Sequence, residues 1–288
     1  MTQSAHAGRG MAGRRRRPLG TGMIYLVATA LGALIALPLL YGVLGGFKDA
    51  GQLADHPLGL PHPWVISNYT GILKSHTFWR PVGNSILIAA ATALIVVALG
   101  ALAAFVFARF AFRGRELLAM LFAIGLMFPF QVAILPLFVL LRTFGLLDNP
   151  LGVILPQAAF ALPLTIIVLR TFFRQIPREV EEAATIDGCS TFRFFWRILL
   201  PMARPALATM AVLAIVTSWN NFFLPLVVFN NPDWWTVPVS VFQFKTQYST
   251  DYARVLAYTV MAMVPALAFY AVAERQIIGG LTTGATKG

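Results

Sequence analysis

Two groups of side chains in this sequence have types and spacing that could do chemistry. The first is Trp219-Asn220-Asn221, set inside the apolar stretch 206–229, with Gln131 inside a further apolar stretch and Asn84 at the start of another. An aromatic plane beside amides suits a sugar, whose C–H face stacks on the ring while its hydroxyls bond to the amides. The same amides could instead bond one helix to another, and Gln157 and Thr165 lean toward that second role. The other group is a charged segment, 174–204, in which Glu179, Glu181 and Glu182 follow Pro177, and Asp187 precedes Gly188. Its chemistry is that of a surface for a partner, with a plain connecting loop as the alternative.

No reaction centre stands beside them, and no catalytic residue is expected. The sequence has no Gly-x4-Gly-Lys-Ser/Thr phosphate loop, so ATP hydrolysis cannot be this chain's own work. His6, His56, His62 and His76 are scattered and form no His-Glu-x-x-His pair, so no metal site is expected. The single cysteine, Cys189, permits neither a disulfide within the chain nor a thiolate cluster. Asp49 and Asp55, near His56, read as solvated loop residues.

Composition says what must position these groups. Hydrophobic residues make up 58% of the chain and charged residues 11%, against roughly 25% charge in a soluble domain. Too few charges remain to cover a water-facing surface, so most of the exterior must face lipid. The net charge of +11 does not point to nucleic acid, because the basic residues gather at the ends of apolar runs.

A spanning helix needs ~20 mostly apolar residues, and six stretches qualify: 23–46, 85–108, 117–135, 152–172, 206–229 and 253–273. The third run continues to Leu141 but is interrupted by Pro129 and Pro136. We expect the span to end near Leu135, with 137–147 lying along the outer interface. The fold expected is therefore an all-α integral membrane domain over 23–279, between a basic tail at 1–22 and a short tail at 280–288. With both tails cytoplasmic, 16 Lys and Arg fall on the inner side and 6 on the outer, as the positive-inside rule requires. Arg14 to Arg17 then flank a retained first helix, since the following apolar run of 24 residues exceeds the ~7–15 of a cleaved leader. On the outer side, loop 47–83 with Pro57, Pro61 and Pro63 is expected to be an ordered cap. Loop 230–252 carries Trp234, Trp235 and Tyr248, types that settle at the membrane–water boundary.

The inner segment 174–204 is legible in its local physics. Pro177 suits the first position of a helix, and Glu179, Glu181 and Glu182 fill a first turn where the helix dipole favours negative charge. Gly188 can take the left-handed conformation that stops a helix. Ser190 can cap a second helix over 191–200, before Pro201. Two short helices meeting at a glycine make a knob on the inner face.

The spacing Glu182-Ala183-Ala184, three residues, Gly188, nine residues, Ile198-Leu199-Leu200-Pro201 resembles the EAA signature of ABC importer permeases at every position. The words around it are similar to the sugar-permease branch, close to the maltose permease G subunit. These are 177–188, Ser218-Trp-Asn-Asn-Phe-Phe-Leu-Pro225, the ending 279–288, Asn68-Tyr69 and Asn84-Ser85, and the similarity runs from about residue 20 to the end. The resemblance implies the type I, MetI-like importer fold in a prokaryotic plasma membrane. It implies transport of a sugar or oligosaccharide rather than an enzyme activity. Glu182, Ala183, Ala184, Asp187 and Gly188 would contact a cytoplasmic ATPase, and the tail 286–288 could touch it too. The implied partners are a homologous permease subunit, two ATPase subunits that bind ATP and Mg, an extracytoplasmic sugar-binding protein and membrane lipid. No cofactor would sit in this chain. The substrate path would be Asn84, Gln131, Trp219, Asn220 and Asn221. A competing reading as an ion-coupled transporter needs ionisable residues within the spans, and a membrane enzyme needs a convergent titratable cluster; neither is visible. A permease for an ionic solute would need a complementary charge in its pore.

Overall fold

The computed structural model describes residues 18–246 and 250–285, with side chains described over 22–246 and 250–271. Arg9, Arg14 to Arg17, Tyr248 and the ending 286–288 lie outside the described residues, as do the side chains of Arg275 and of 279–285. Among the described residues the chain is helical, with one isolated bridge, Lys245 to Thr250, as its only β pairing.

Helix α1, Pro18–Gly46, is followed by two short helices of the outer cap, α2, Ala50–Asp55, and α3, Ser67–Lys74. Next come α4, His76–Arg109, then α5, Arg115–Gly125, α6, Phe130–Thr143, and α7, Leu151–Gln175. The inner segment holds α8, Arg178–Ile186, α9, Thr191–Phe194, and α10, Leu200–Met202. The chain ends with α11, Arg204–Trp219, α12, Phe223–Val228, α13, Val237–Ser240, and α14, Tyr252–Ala285. Over the described residues, α1, α4, α7 and α14 are each long and apolar enough to cross a bilayer. Two bent pairs, α5 with α6 and the 191–202 helix with α11, bring the number to six if each pair is one span.

Packing follows from where the charges are absent. From Pro81 to Ala108, and from Leu151 to Leu169, no charged residue interrupts α4 or α7, and these two helices pack on each other more extensively than any other pair. Their contact is close at Gly100, where an added Cβ would stand 2.6 Å from Thr165 Cγ2. Ser75 caps α4 by accepting from Thr77 N–H, and Arg109 closes its last turn, where the dipole favours a cation. Helix α11 lies across α4, and α1 meets α14 through Gly42, Gly45 and Gly46 while most of its length is exposed.

The segment between α1 and α4 is ordered by buried polar bonds. Lys48 is buried and its Nζ donates to the carbonyls of His56 and Pro57, both at 2.8 Å. Asn68 donates to the carbonyls of Gly46 and Lys48 at 3.0 and 2.9 Å. Phe47 meets Trp64 edge-on at 5.2 Å and Tyr69 at a tilt at 4.4 Å.

Three details differ from the sequence expectation. The third apolar run breaks at 126–129 rather than near Leu135, and α5 and α6 meet at 97°. Pro129 cannot donate an N–H to the preceding turn, and it disfavours helix at Phe128. Pro136 is instead carried inside α6. The fifth run also breaks, at 220–222, because the two Asn amides serve the helix ends. Asn220 Nδ2 donates to Val216 O at 2.9 Å and Asn221 Oδ1 accepts from Leu224 N–H at 3.3 Å. Finally, the helix from Thr191 does not stop before Pro201. It widens into a π turn over Phe195–Leu199 and runs to Met202 before bending by 76° into α11. The wide turn comes just before Pro201, whose ring would crowd the carbonyl four residues back in a regular α-helix.

The Gly100 contact yields a test. Gly100→Val should lower the thermal midpoint of the purified protein in detergent, at a cost of about 1–3 kcal/mol from overpacking. Gly32→Val, which would meet nothing within 4 Å, should not.

Candidate functional site

A cavity of about 460 Å³ opens beside the break between α5 and α6. Leu126, Phe128, Phe130 and Gln131 at the break form one wall, and Thr92 from α4, Gln157 and Phe160 from α7, and Ser218 and Asn221 from the α11 end close the others. Its polar groups are amides and hydroxyls, and among the described residues no charged one lines it. Phe160 meets Phe130 edge-on at 4.8 Å and Phe128 at 6.5 Å.

Gln157 is the polar centre of this cavity. It is only 7% exposed. Its Oε1 accepts from Ser218 Oγ at 2.6 Å and from Thr92 Oγ1 at 3.5 Å, linking α7 to α11 and α4. Its Nε2 is buried with no hydrogen-bond partner. An unmet buried donor costs about 1–3 kcal/mol, so this one is poised to meet an oxygen acceptor brought into the cavity.

The five residues singled out in the sequence do not come together. Gln131 and Asn221 line the cavity. Trp219 and Asn220 line a separate, mostly apolar groove between α4, α11 and α14, beside Pro265 and Tyr270. Asn84 lines neither the cavity nor the groove. Its Nδ2 donates to the carbonyls of Asp233 and Trp235 at 2.8 and 3.0 Å, while Arg80 pairs with Asp233 and Ser85 Oγ accepts from Val237 N–H. Asn84 thus clasps the loop after α12 to the start of α4. Gln157 bonds between helices, as its place in the sequence suggested, but only through its Oε1. Thr92, Gln157 and Ser218 share their apolar runs with other polar residues, Thr165 and Thr217 among them, so the sequence alone did not mark this set.

Helices α8 and α9 form a knob. Pro177 is the cap residue rather than the first helical one, and Glu179 and Glu181 occupy the first turn. The helix ends in a paired motif: Gly188 N–H donates to Thr185 O at 3.0 Å and Cys189 N–H to Ala184 O at 2.8 Å. Gly188 has φ +76°, a conformation that side chains with a Cβ rarely adopt. Ser190 Oγ then accepts from Arg193 N–H and starts α9.

Glu182, Ala183, Asp187 and Gly188 are exposed on this knob, whereas Ala184 is buried against the inner core that contains Phe194, Phe195 and Leu199. The small side chain at 184 lets the knob sit close on its own base. Three apolar side chains that the sequence did not single out, Ile186, Phe192 and Trp196, are exposed on the same knob, Ile186 at 86%. Arg109 fastens the knob to α4. Its side chain is 4% exposed, its Nη2 donates to Ile176 O at 3.0 Å, and its Nε lies 3.5 Å from Glu181 Oε2.

Comparison with known proteins matches residues 96–276 to the family described as binding-protein-dependent transport system inner membrane component. The chain is 37% identical over 253 residues to the diacetylchitobiose uptake system permease protein NgcG of Streptomyces coelicolor, covering 87% of this chain and 84% of that one. It is 35% identical to the trehalose transport system permease protein SugB of Mycobacterium tuberculosis, with 88% and 92% covered. Among solved structures, a bacterial ABC transporter involved in import of the acidic polysaccharide alginate superposes with a TM-score of 0.76. It covers 93% of this chain and 99% of that chain at 24% identity.

The Arg109 anchor makes a prediction. Arg109→Gln removes charged hydrogen bonding worth about 1.5–3 kcal/mol. Tryptic cleavage of the purified protein at Arg174 or Arg178 should therefore speed up at least several-fold; an unchanged rate would show that the knob is held by other contacts.

Proposed function

The chain belongs to the binding-protein-dependent transport system inner membrane components, and on that footing we propose that it is a permease subunit of an ATP-driven importer of a saccharide. The observation that carries the cargo class is the lining of the cavity beside Gln157. Amides, hydroxyls and phenyl rings without a charge suit a neutral molecule rich in hydroxyls, and they offer an ionic solute no counter-charge. The relatives named for diacetylchitobiose and trehalose support the same class. In this reading Gln131, Gln157 and Asn221 meet hydroxyls, Phe128, Phe130 and Phe160 supply apolar faces, and the cavity is this subunit's share of the path.

Work is done elsewhere and delivered at the knob. Two cytoplasmic ATPases, which bind ATP and Mg, would receive the surface formed by Glu182, Ala183, Asp187 and Gly188, together with the exposed Ile186, Phe192 and Trp196. Burial of those three apolar side chains would contribute roughly 1.5–3 kcal/mol each. A homologous permease would complete the path, and an extracytoplasmic binding protein would deliver the saccharide to the outer cap. Both termini and the knob then lie in the cytoplasm, and the membrane domain occupies 23–279, in agreement with the arginine bias. Movement of the knob reaches the cavity by two routes. The Arg109–Glu181 pair leads to α4, which carries Thr92, and the continuous helix from Thr191 leads into α11, which carries Ser218.

Two substitutions separate coupling from recognition in the complete transporter. Gly188→Val forces a β-branched residue to a positive φ, so saccharide uptake and stimulated ATP hydrolysis should both fall at least tenfold with the protein still present in the membrane. Gln157→Leu should instead leave ATPase recruitment intact and cut uptake at low substrate at least tenfold. Undiminished uptake by Gly188→Val with hydrolysis still stimulated would overturn the role given to the knob.

A further inference from the structure

The inner end of α5 carries an acid that neither the knob nor the cavity uses. Arg170 Nη2 donates to both oxygens of Glu116, at 2.7 and 2.8 Å, while Arg115 and Arg174 approach Glu116 Oε1 at 3.0 and 3.4 Å. Ion pairs between exposed groups contribute little, and Glu116 itself is 65% exposed. Its partner changes that estimate. The Arg170 side chain is 13% exposed, its guanidinium lies over the Phe107 ring at 5.9 Å, and its Nε has no hydrogen-bond partner. Removing Glu116 would strand a largely buried cation, which costs far more than losing an exposed pair.

Position gives the contact its meaning. Arg170 and Arg174 lie in the last turns of α7, directly before Pro177 and the knob. Glu116 is the second residue of α5, whose far end, Gly125 and Leu126, borders the cavity at the 97° break. Helix α5 has no fully buried residue of its own. Its Phe122 meets Phe107 of α4 edge-on at 5.9 Å, and at its start Glu116 is a charged link to α7.

We propose that Glu116 is a coupling residue: it ties the inner end of α5 to the root of the knob, so that movement of the knob carries the cavity wall with it. This rests on the permease reading above. Without the tie, the ATPases can still seat and close, but α5 no longer follows.

The test uses the complete transporter in liposomes, with both permeases, the ATPases and the binding protein, and with labelled diacetylchitobiose and trehalose as probes. Glu116→Gln keeps the shape and removes the charge. It should retain bound ATPases, raise hydrolysis in the absence of binding protein several-fold, and lower the sugar moved per ATP several-fold. The exchange Glu116→Arg with Arg170→Glu should restore much of that ratio, which a purely structural defect would not allow. Unchanged hydrolysis and an unchanged ratio in Glu116→Gln would overturn the proposal, as would loss of the ATPases from that variant or failure of the exchange to restore any coupling. If wild-type transporter moves neither sugar, the hydrolysis arm alone decides the role of Glu116.

Discussion

A charge is costly anywhere along this chain except where an apolar helix meets water, and the architecture follows from that constraint. Charged residues make up 11% of the sequence, and α4 and α7 carry none through their long middles. Two guanidiniums that are nonetheless largely withdrawn from solvent, Arg109 and Arg170, sit near the C-terminal ends of α4 and α7. Each reaches a carboxylate on a different element, Glu181 on α8 and Glu116 on α5. Their need for a counter-charge turns these helix ends into joints between elements.

The uncharged middle solves a related problem with neutral groups. Two of the six apolar runs break inside the membrane domain, at 126–129 and 220–222, and both breaks border the same cavity through Phe128 and Asn221. Backbone freed at such breaks is tolerated at membrane depth where it borders protein or a cavity. Proline, asparagine and glutamine there shape a space and furnish it with hydrogen-bonding groups without introducing ionisation.

The sequence was most informative where one dimension suffices. A bilayer fixes the length of an apolar run, so the positions of the long helices could be read from composition. The left-handed Gly188 and the Ser190 cap follow from local backbone rules, and they were visible in the spacing of 177–190. What sequence did not reveal depends on neighbours in space. Pro129 and Pro136 look alike in the chain, yet only Pro129 breaks the helix. Ala183 and Ala184 are adjacent and identical, yet one faces outward and the other inward. Trp219, Asn220 and Asn221 are consecutive, but the helix ends between them and sends the first two to one groove and the third to another. Half of the Gln157 amide is consumed by Ser218 and Thr92, and no periodicity in the sequence could show that the other half is not.

The π turn at 195–199 has a consequence that concerns counting rather than chemistry. It aligns Phe194, Phe195 and Leu199 on one buried face, although residues five apart on a regular helix point in quite different directions. The widened turn holds one residue more than an α-turn would. Deleting that residue would rotate everything before it by about 100° about the helix axis, taking Gly188 and its surroundings with it. The direction in which the inner elbow points is thus set by the number of residues between it and the bend at Ala203.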